Sequence, residues 1–163
     1  MGGVTVTYPT LTDVAVQARP YPTYILEHAE TGVCLFSAAF MGHNEAIHFA
    51  LEDVETTCVD IDQEKLHAMA ALYPDDWRFV CADAWQFAEA AALREEKWDV
   101  VGVDTFRGNA TERSLADLGV WCDIAAKAVV ATLEDGQTYD VPEGWTAQHF
   151  RRNSEVFWLV LTR

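Results

Sequence analysis

The spacing of apolar positions changes several times along the chain, and each change marks an element. Val33-Cys34-Leu35-Phe36 is an apolar run too short for a helix, which predicts a strand buried on both faces. Ser37-Ala38-Ala39, then Phe40-Met41-Gly42-His43-Asn44, follow as a turn with a glycine able to take positive φ and a polar residue suited to capping a helix. Ala46, Ile47, Ala50, Leu51 and Val54 recur at spacings of three and four, which predicts a helix from about Asn44 to Glu52. A second apolar run, Thr56-Thr57-Cys58-Val59, stops at Asp60-Ile61-Asp62. The simplest assembly is a βαβ unit. Its first helix would present free N–H groups to a ligand, and its second strand ends in an acid able to accept hydrogen bonds from a ribose.

The alternation continues. Asp62 is placed to cap a helix through Lys65, Leu66, Met69 and Leu72, which Tyr73-Pro74-Asp75-Asp76 ends. Trp77 to Cys81 is a third strand before Asp83, and Ala84 to about Glu96 a helix with Trp85, Ala88 and Ala92 on one stripe. The fourth strand, Trp98 to Val103, reaches Asp104, with Thr105, Phe106 and Arg107 at the same mouth. One helix then carries Leu115, Leu118, Cys122 and Ala125, and Ala128 to Leu133 is the fifth strand. Trp145 to Arg151 and Val156 to Thr162, joined by Arg152-Asn153-Ser154-Glu155, read as an antiparallel hairpin whose second strand is apolar enough to lie inside the sheet. The fold class is α/β: a mostly parallel sheet with helices on both faces and a C-terminal antiparallel hairpin. Its strand C-termini collect Asp60, Asp83 and Asp104 along the edge where open α/β sheets bind ligands.

Residues 1–32 are punctuated by Pro9, Pro20 and Pro22. Val4 to Tyr8 alternates as a short strand does, and Tyr21 to Glu30 forms a short helix ended by Gly32, with Pro22 in its first turn. Tyr8, Tyr21 and Tyr24 make this segment a lid over a site or a layer packed on the sheet, with packing the weightier reading.

Composition narrows the classes. At 163 residues and 50% hydrophobic content, one domain is expected over 1–163, with a cap or lid at 1–32, a βα core at 33–134 and the hairpin at 145–162. Lys and Arg total 11 against 26 Asp and Glu, a formal charge of −15 spread along the chain. That disfavours a nucleic-acid partner, although Arg107, Arg113, Arg151 and Arg152 could gather on one face. Cys34, Cys58, Cys81 and Cys122 include no CxxC pair, so zinc ligation and a redox dithiol both lack support. Three of the four fall in predicted core strands, as small hydrophobes of a reducing compartment. No membrane-spanning run, secretory leader or myristoylation pattern is seen, and a cytoplasmic protein without a membrane partner is expected, with homo-oligomerisation left open.

Three segments carry a resemblance: Cys58-Val59-Asp60-Ile61-Asp62, Val80-Cys81-Ala82-Asp83-Ala84, and Trp98-Asp99-Val100-Val101-Gly102-Val103-Asp104. In order and spacing they resemble the second, third and fourth strand motifs of class I S-adenosylmethionine-dependent methyltransferases, over roughly Val33 to Thr162. The terminal hairpin is similar to that family's last two strands. The resemblance implies S-adenosylmethionine as cofactor and S-adenosylhomocysteine as product. It implies that Asp60 bonds the ribose hydroxyls, that Asp83 receives the adenine amino group and that the Ala84 N–H meets a ring nitrogen. Ser37, Ala38, Gly42, Ile61 and Asp104 complete the implied cofactor set, Met41 or Trp85 borders the adenine, and Asp104 also adjoins the acceptor as the catalytic candidate. For Trp85 a core role outweighs the cofactor one; for His43 a structural role does.

Two departures stand out. The family's first motif has an acid and three glycines, where this chain has Phe36, Ala38, Phe40 and Gly42. The connection Asp135 to Gly144 is too short for the helix that joins the family's fifth strand to its hairpin. The motif Asp-Pro-Pro-Tyr of amino-group methylases is absent, so a small molecule or a protein side chain is the expected acceptor. The competing reading is a non-catalytic domain that keeps the fold for binding or assembly, with a transferase using decarboxylated cofactor ranked last.

Overall fold

In a computed structural model, residues 20–37, 43–105 and 109–163 are described. They build a seven-stranded sheet of β1 (Thr31–Leu35), β2 (Glu55–Asp60), β3 (Arg78–Cys81), β4 (Trp98–Val103), β5 (Ala125–Glu134), β6 (Thr146–Arg151) and β7 (Val156–Thr162). The helices are α1 (His43–Leu51), α2 (Gln63–Ala70), α3 (Ala84–Leu93), α4 (Asn109–Ala116) and α5 (Leu118–Asp123). The sheet order is β3-β2-β1-β4-β5-β7-β6, with β1 to β5 parallel and β7 antiparallel to both neighbours. β7 therefore lies inside the sheet, and its run from Trp158 to Leu161 is buried, whereas β6 forms the edge, exposed except for the half-buried Ala147 and Phe150.

Each sheet face carries its own core. One packs Val33, Leu35, Val101, Val103, Val129 and Ala131 against α3, α4 and α5. The other packs Cys34, Cys58, Val100, Val130 and Val160 against α1, α2 and the segment around Tyr21. Strands buried on both sides are what near-continuous apolar runs require. Gly32 makes the second layer fit, because a Cβ there would stand 2.4 Å from the Phe49 ring.

Four expectations are corrected. The helix over Tyr21 to Glu30 is one 3₁₀ turn, Thr23–Leu26, and Gly32 lies inside β1 instead of ending a helix. The helix through Leu115 and Ala125 is two helices, and Ala125 begins β5. The break at Asp117 has a cause: its Oδ2 accepts the Trp85 indole N–H at 2.9 Å, and the Trp121 indole N–H donates to the Ser114 carbonyl at 3.1 Å, the acceptor a continuous helix would use. On α1, Leu51 is 64% exposed, and Phe49 and Glu45 take the buried face beside Ala46 and Ile47. Cys34 and Cys58 lie in core strands and Cys122 on a helix, as expected, but Cys81, on β3, is exposed instead of core. The predicted strand at Val4 to Tyr8 lies outside the described residues.

Two further readings hold. Residues 135–144 contain no helix, and Tyr139 within them is hydrogen-bonded to His149 of β6. Tyr21 packs on the sheet, with its ring against His48, Phe49 and Trp158.

Candidate functional site

The carboxyl ends of β3, β2, β1 and β4 stand side by side, and each is followed by a residue singled out from the sequence. Asp83 and Ala84 follow β3, Asp60 and Ile61 end β2, Ser37 follows β1, and Asp104 follows β4. Asp60 Oδ1 accepts the Asp62 N–H at 2.8 Å, which fixes the bend after β2, and Ile61 beside it is 74% exposed. Asp62 caps α2, accepting the Lys65 N–H at 3.1 Å. Asp83 caps α3, accepting the Gln86 N–H at 3.0 Å with Oδ1, while helix geometry leaves the Ala84 N–H without an intrahelical acceptor. Ser37 is buried and holds the chain across β2, its N–H and hydroxyl both donating to the Val59 carbonyl. Ala38, Phe40, Met41 and Gly42, together with Phe106 and Arg107, lie outside the described residues, and only the backbone of His43 is described.

At the β4 end the structure adds partners the sequence did not show. Asp104 Oδ1 accepts from Arg152 Nη1 at 2.9 Å and from the Thr132 hydroxyl at 3.2 Å. This ion pair is nearly buried, its side chains 10% and 13% exposed, and the Arg152 guanidinium also lies 4.3 Å above the Trp158 ring. The hairpin turn delivers Arg152: Asn153 Oδ1 accepts the N–H groups of Glu155 and Val156, and the Arg152 N–H donates to the Val156 carbonyl.

Glu45, in the first turn of α1, is 2% exposed, and its Oε1 accepts the Tyr21 hydroxyl at 2.7 Å. Burial pushes its carboxyl well above the ordinary range, Asp104 adds to the rise, and the Tyr21 hydrogen bond and Arg152 oppose it. Burial likewise raises the Tyr21 phenol and the Cys34 thiol. The sequence reading missed Glu45 because α1 was phased on Leu51. The available signal was Gly102, an isolated glycine inside an apolar strand, which marks a close approach. Among the described residues, no group of three or more His, Cys, Asp or Glu is placed to hold a metal ion, and no helix is long and apolar enough to cross a membrane.

No protein-family model matches the chain, and neither does any curated protein. Solved structures do match. Human methyltransferase-like protein 13, in complex with S-adenosylhomocysteine, is 12% identical at a TM-score of 0.61, over 92% of this chain and 78% of that one. A candidate S-adenosylmethionine-dependent methyltransferase of Streptococcus mutans is 13% identical at a TM-score of 0.63, over 85% of this chain. This chain spans 46% of the length of that protein. A hypothetical protein of Thermus thermophilus is 16% identical at a TM-score of 0.64, over 99% and 94% of the two chains. The fold is that of the class I methyltransferases.

Within that methyltransferase fold the end of β1 is unusual. Phe36 holds a left-handed backbone at φ 59°, which a bulky side chain rarely adopts, and its ring stands edge-on to Trp85 at 5.3 Å. Trp85 is in turn buried, covered by Arg113 at 3.7 Å and packed on Trp121, so it belongs to the core as the sequence reading had it. A groove of about 860 Å³ lies between α4, α5 and residues 136–142, lined by Glu112, Leu115, Leu118 and Tyr139 among others.

Proposed function

We propose that the chain binds S-adenosylmethionine along the β3-β2-β1-β4 edge and transfers its methyl group to a small molecule or a protein side chain. The observation that carries this reading is the alignment of Asp83, Asp60, Ser37 and Asp104 on four adjacent strand ends of a methyltransferase fold. Asp60 is the ribose acceptor, since a carboxylate can receive both hydroxyls of a diol through charge-assisted bonds. Asp83 receives the adenine amino group with the oxygen its capping role does not use, and the unpaired Ala84 N–H meets a ring nitrogen. Ile61 flanks the base, and Ser37, with Ala38 and Gly42 outside the described residues, is assigned to the methionine end of the cofactor.

The reaction is a displacement at a sulfonium carbon whose leaving group is already activated, so orientation supplies most of the catalysis. Asp104 is the residue for the acceptor. Arg152 and Thr132 fix its Oδ1, which leaves the carboxylate oriented at the mouth of the site.

One observation favours a second reading, a cofactor-free binding or assembly domain: Phe36 stands where the first-motif acid would be. A thermal-shift titration separates the two. S-adenosylmethionine or S-adenosylhomocysteine at 100 times its dissociation constant adds about 2.7 kcal/mol, a rise of several degrees. We expect that rise in the wild type, its loss in Asp60→Ala and none with NAD. No rise at millimolar ligand would establish the binding-domain reading instead.

A further inference from the structure

We propose that Glu45 is a positioning residue: wedged between Gly102 and Tyr21, it governs how firmly Arg152 holds Asp104. The importance of Asp104 rests on the methyl-transfer reading, whereas the placement of Glu45, Asp104 and Arg152 on one side of the sheet rests on geometry. A Cβ on Gly102 would lie 2.2 to 2.5 Å from the carboxyl atoms of Glu45, so the missing side chain is the space the carboxyl occupies. Thr132 lies two residues beyond Val130, the register partner of Gly102, so it shares that face, and its hydroxyl bond to Asp104 sets Asp104 on the side that Glu45 covers. Thr132 and Trp158, register partners in β5 and β7, complete that face beneath Arg152.

The cluster holds two carboxyl groups and one guanidinium. Arg152 donates to Asp104 at 2.9 Å, and Tyr21 donates to Glu45 Oε1 at 2.7 Å. Glu45 Oε2 is buried and has no hydrogen-bond partner among the described residues. Since Oε1 already accepts, Oε2 is the oxygen that carries the proton of an un-ionised Glu45. In that state Glu45 places no claim on Arg152. Once ionised it attracts the same guanidinium and repels Asp104, and the pair loosens. Among the described residues, the titratable and charged groups facing Glu45 are Tyr21 from the segment before β1, Cys34 from β1, Asp104 after β4 and Arg152 from the hairpin turn; His48, one turn along α1, stacks on Tyr21 at 5.0 Å. Arg152 is the one cation in that set at neutral pH, so the two carboxyls compete for it.

The test is a ¹³C titration of the carboxyl carbons in Asp- and Glu-labelled protein without cofactor, with Glu45→Gln and Asp104→Asn assigning the two signals. We expect the Asp104 signal of the wild type to show, besides its own midpoint, a second inflection at the midpoint of Glu45. That inflection should vanish in Glu45→Gln, which keeps the shape and the Tyr21 contact but cannot ionise. An Asp104 signal that ignores the Glu45 midpoint, or an inflection that survives in Glu45→Gln, overturns the proposal. The cofactor plays no part in this titration. Its failure beside a normal cofactor response removes the positioning role alone, and its success beside no cofactor response removes methyl transfer alone.

Discussion

A single buried acid sets the pH behaviour expected of this protein. Glu45 has an ordinary value of 4.5 that burial and Asp104 raise. Below the ordinary value both folded and unfolded chains carry the proton, and the stability this site contributes is fully present. Above it the unfolded chain releases the proton while the folded chain keeps it, so stability falls as pH rises, until the folded-state value is passed. The loss is at most about 1.4 kcal/mol per pH unit. Glu45→Gln has no proton to lose there. We therefore expect its melting temperature to gain on the wild type as pH rises above the ordinary value of 4.5, read by calorimetry. Parallel curves would mean that Glu45 is ionised when buried. None of this was legible from α1 by itself, because a Glu beside Ala46 and Ile47 looks like the polar border of an apolar stripe. Only the partner strand reveals it, through the room that Gly102 leaves.

At the scale of elements, strands and caps were legible wherever a local rule decides them. β4 runs from Trp98 to Val103 as its apolar run indicates, and Asp62 caps α2 because a short acceptor at the N-cap reaches the third N–H. The misreadings fall where one distant side chain overrides periodicity: Trp85 draws Asp117 out of the helix between α4 and α5, and Tyr21 turns toward Glu45 instead of extending a helix. The observed cap and the proposed cofactor role meet at Asp83 and can be pulled apart by substitution. Asp62→Ala and Asp83→Ala should each lose about 1 kcal/mol, the usual cost of an N-cap. Only Asp83→Ala should also lose the stabilisation by S-adenosylmethionine. Asp83→Ser should regain the cap, since a hydroxyl can accept from Gln86, without regaining the adenine contact. A full cofactor shift in Asp83→Ala would leave Asp83 a cap and nothing more.

For the whole molecule the excess of 15 negative charges is the dominant long-range term. In the described ion pairs Lys65–Asp62, Arg78–Glu96, Arg94–Glu96 and Lys127–Asp99 the cationic side chain is more than half exposed. Such pairs contribute at most about 1 kcal/mol each. Few cations remain to offset repulsion among the acids, and that repulsion acts across the surface over a Debye length, about 30 Å at 0.01 M salt and about 10 Å at 0.1 M. Sodium chloride added over that range should therefore raise the melting temperature by a few degrees, because screening relieves more repulsion than attraction. The Arg152–Asp104 pair is sheltered from this screening by its burial. Measured against Arg151→Ala, an exposed arginine whose loss changes the net charge equally, the destabilisation caused by Arg152→Ala should accordingly stay constant across the salt series while the wild-type melting temperature climbs. A melting temperature that falls with salt would show that ion pairs outweigh repulsion. An Arg152→Ala penalty that shrinks with salt would show that water reaches the strand end, and with it the carboxylate assigned to the acceptor.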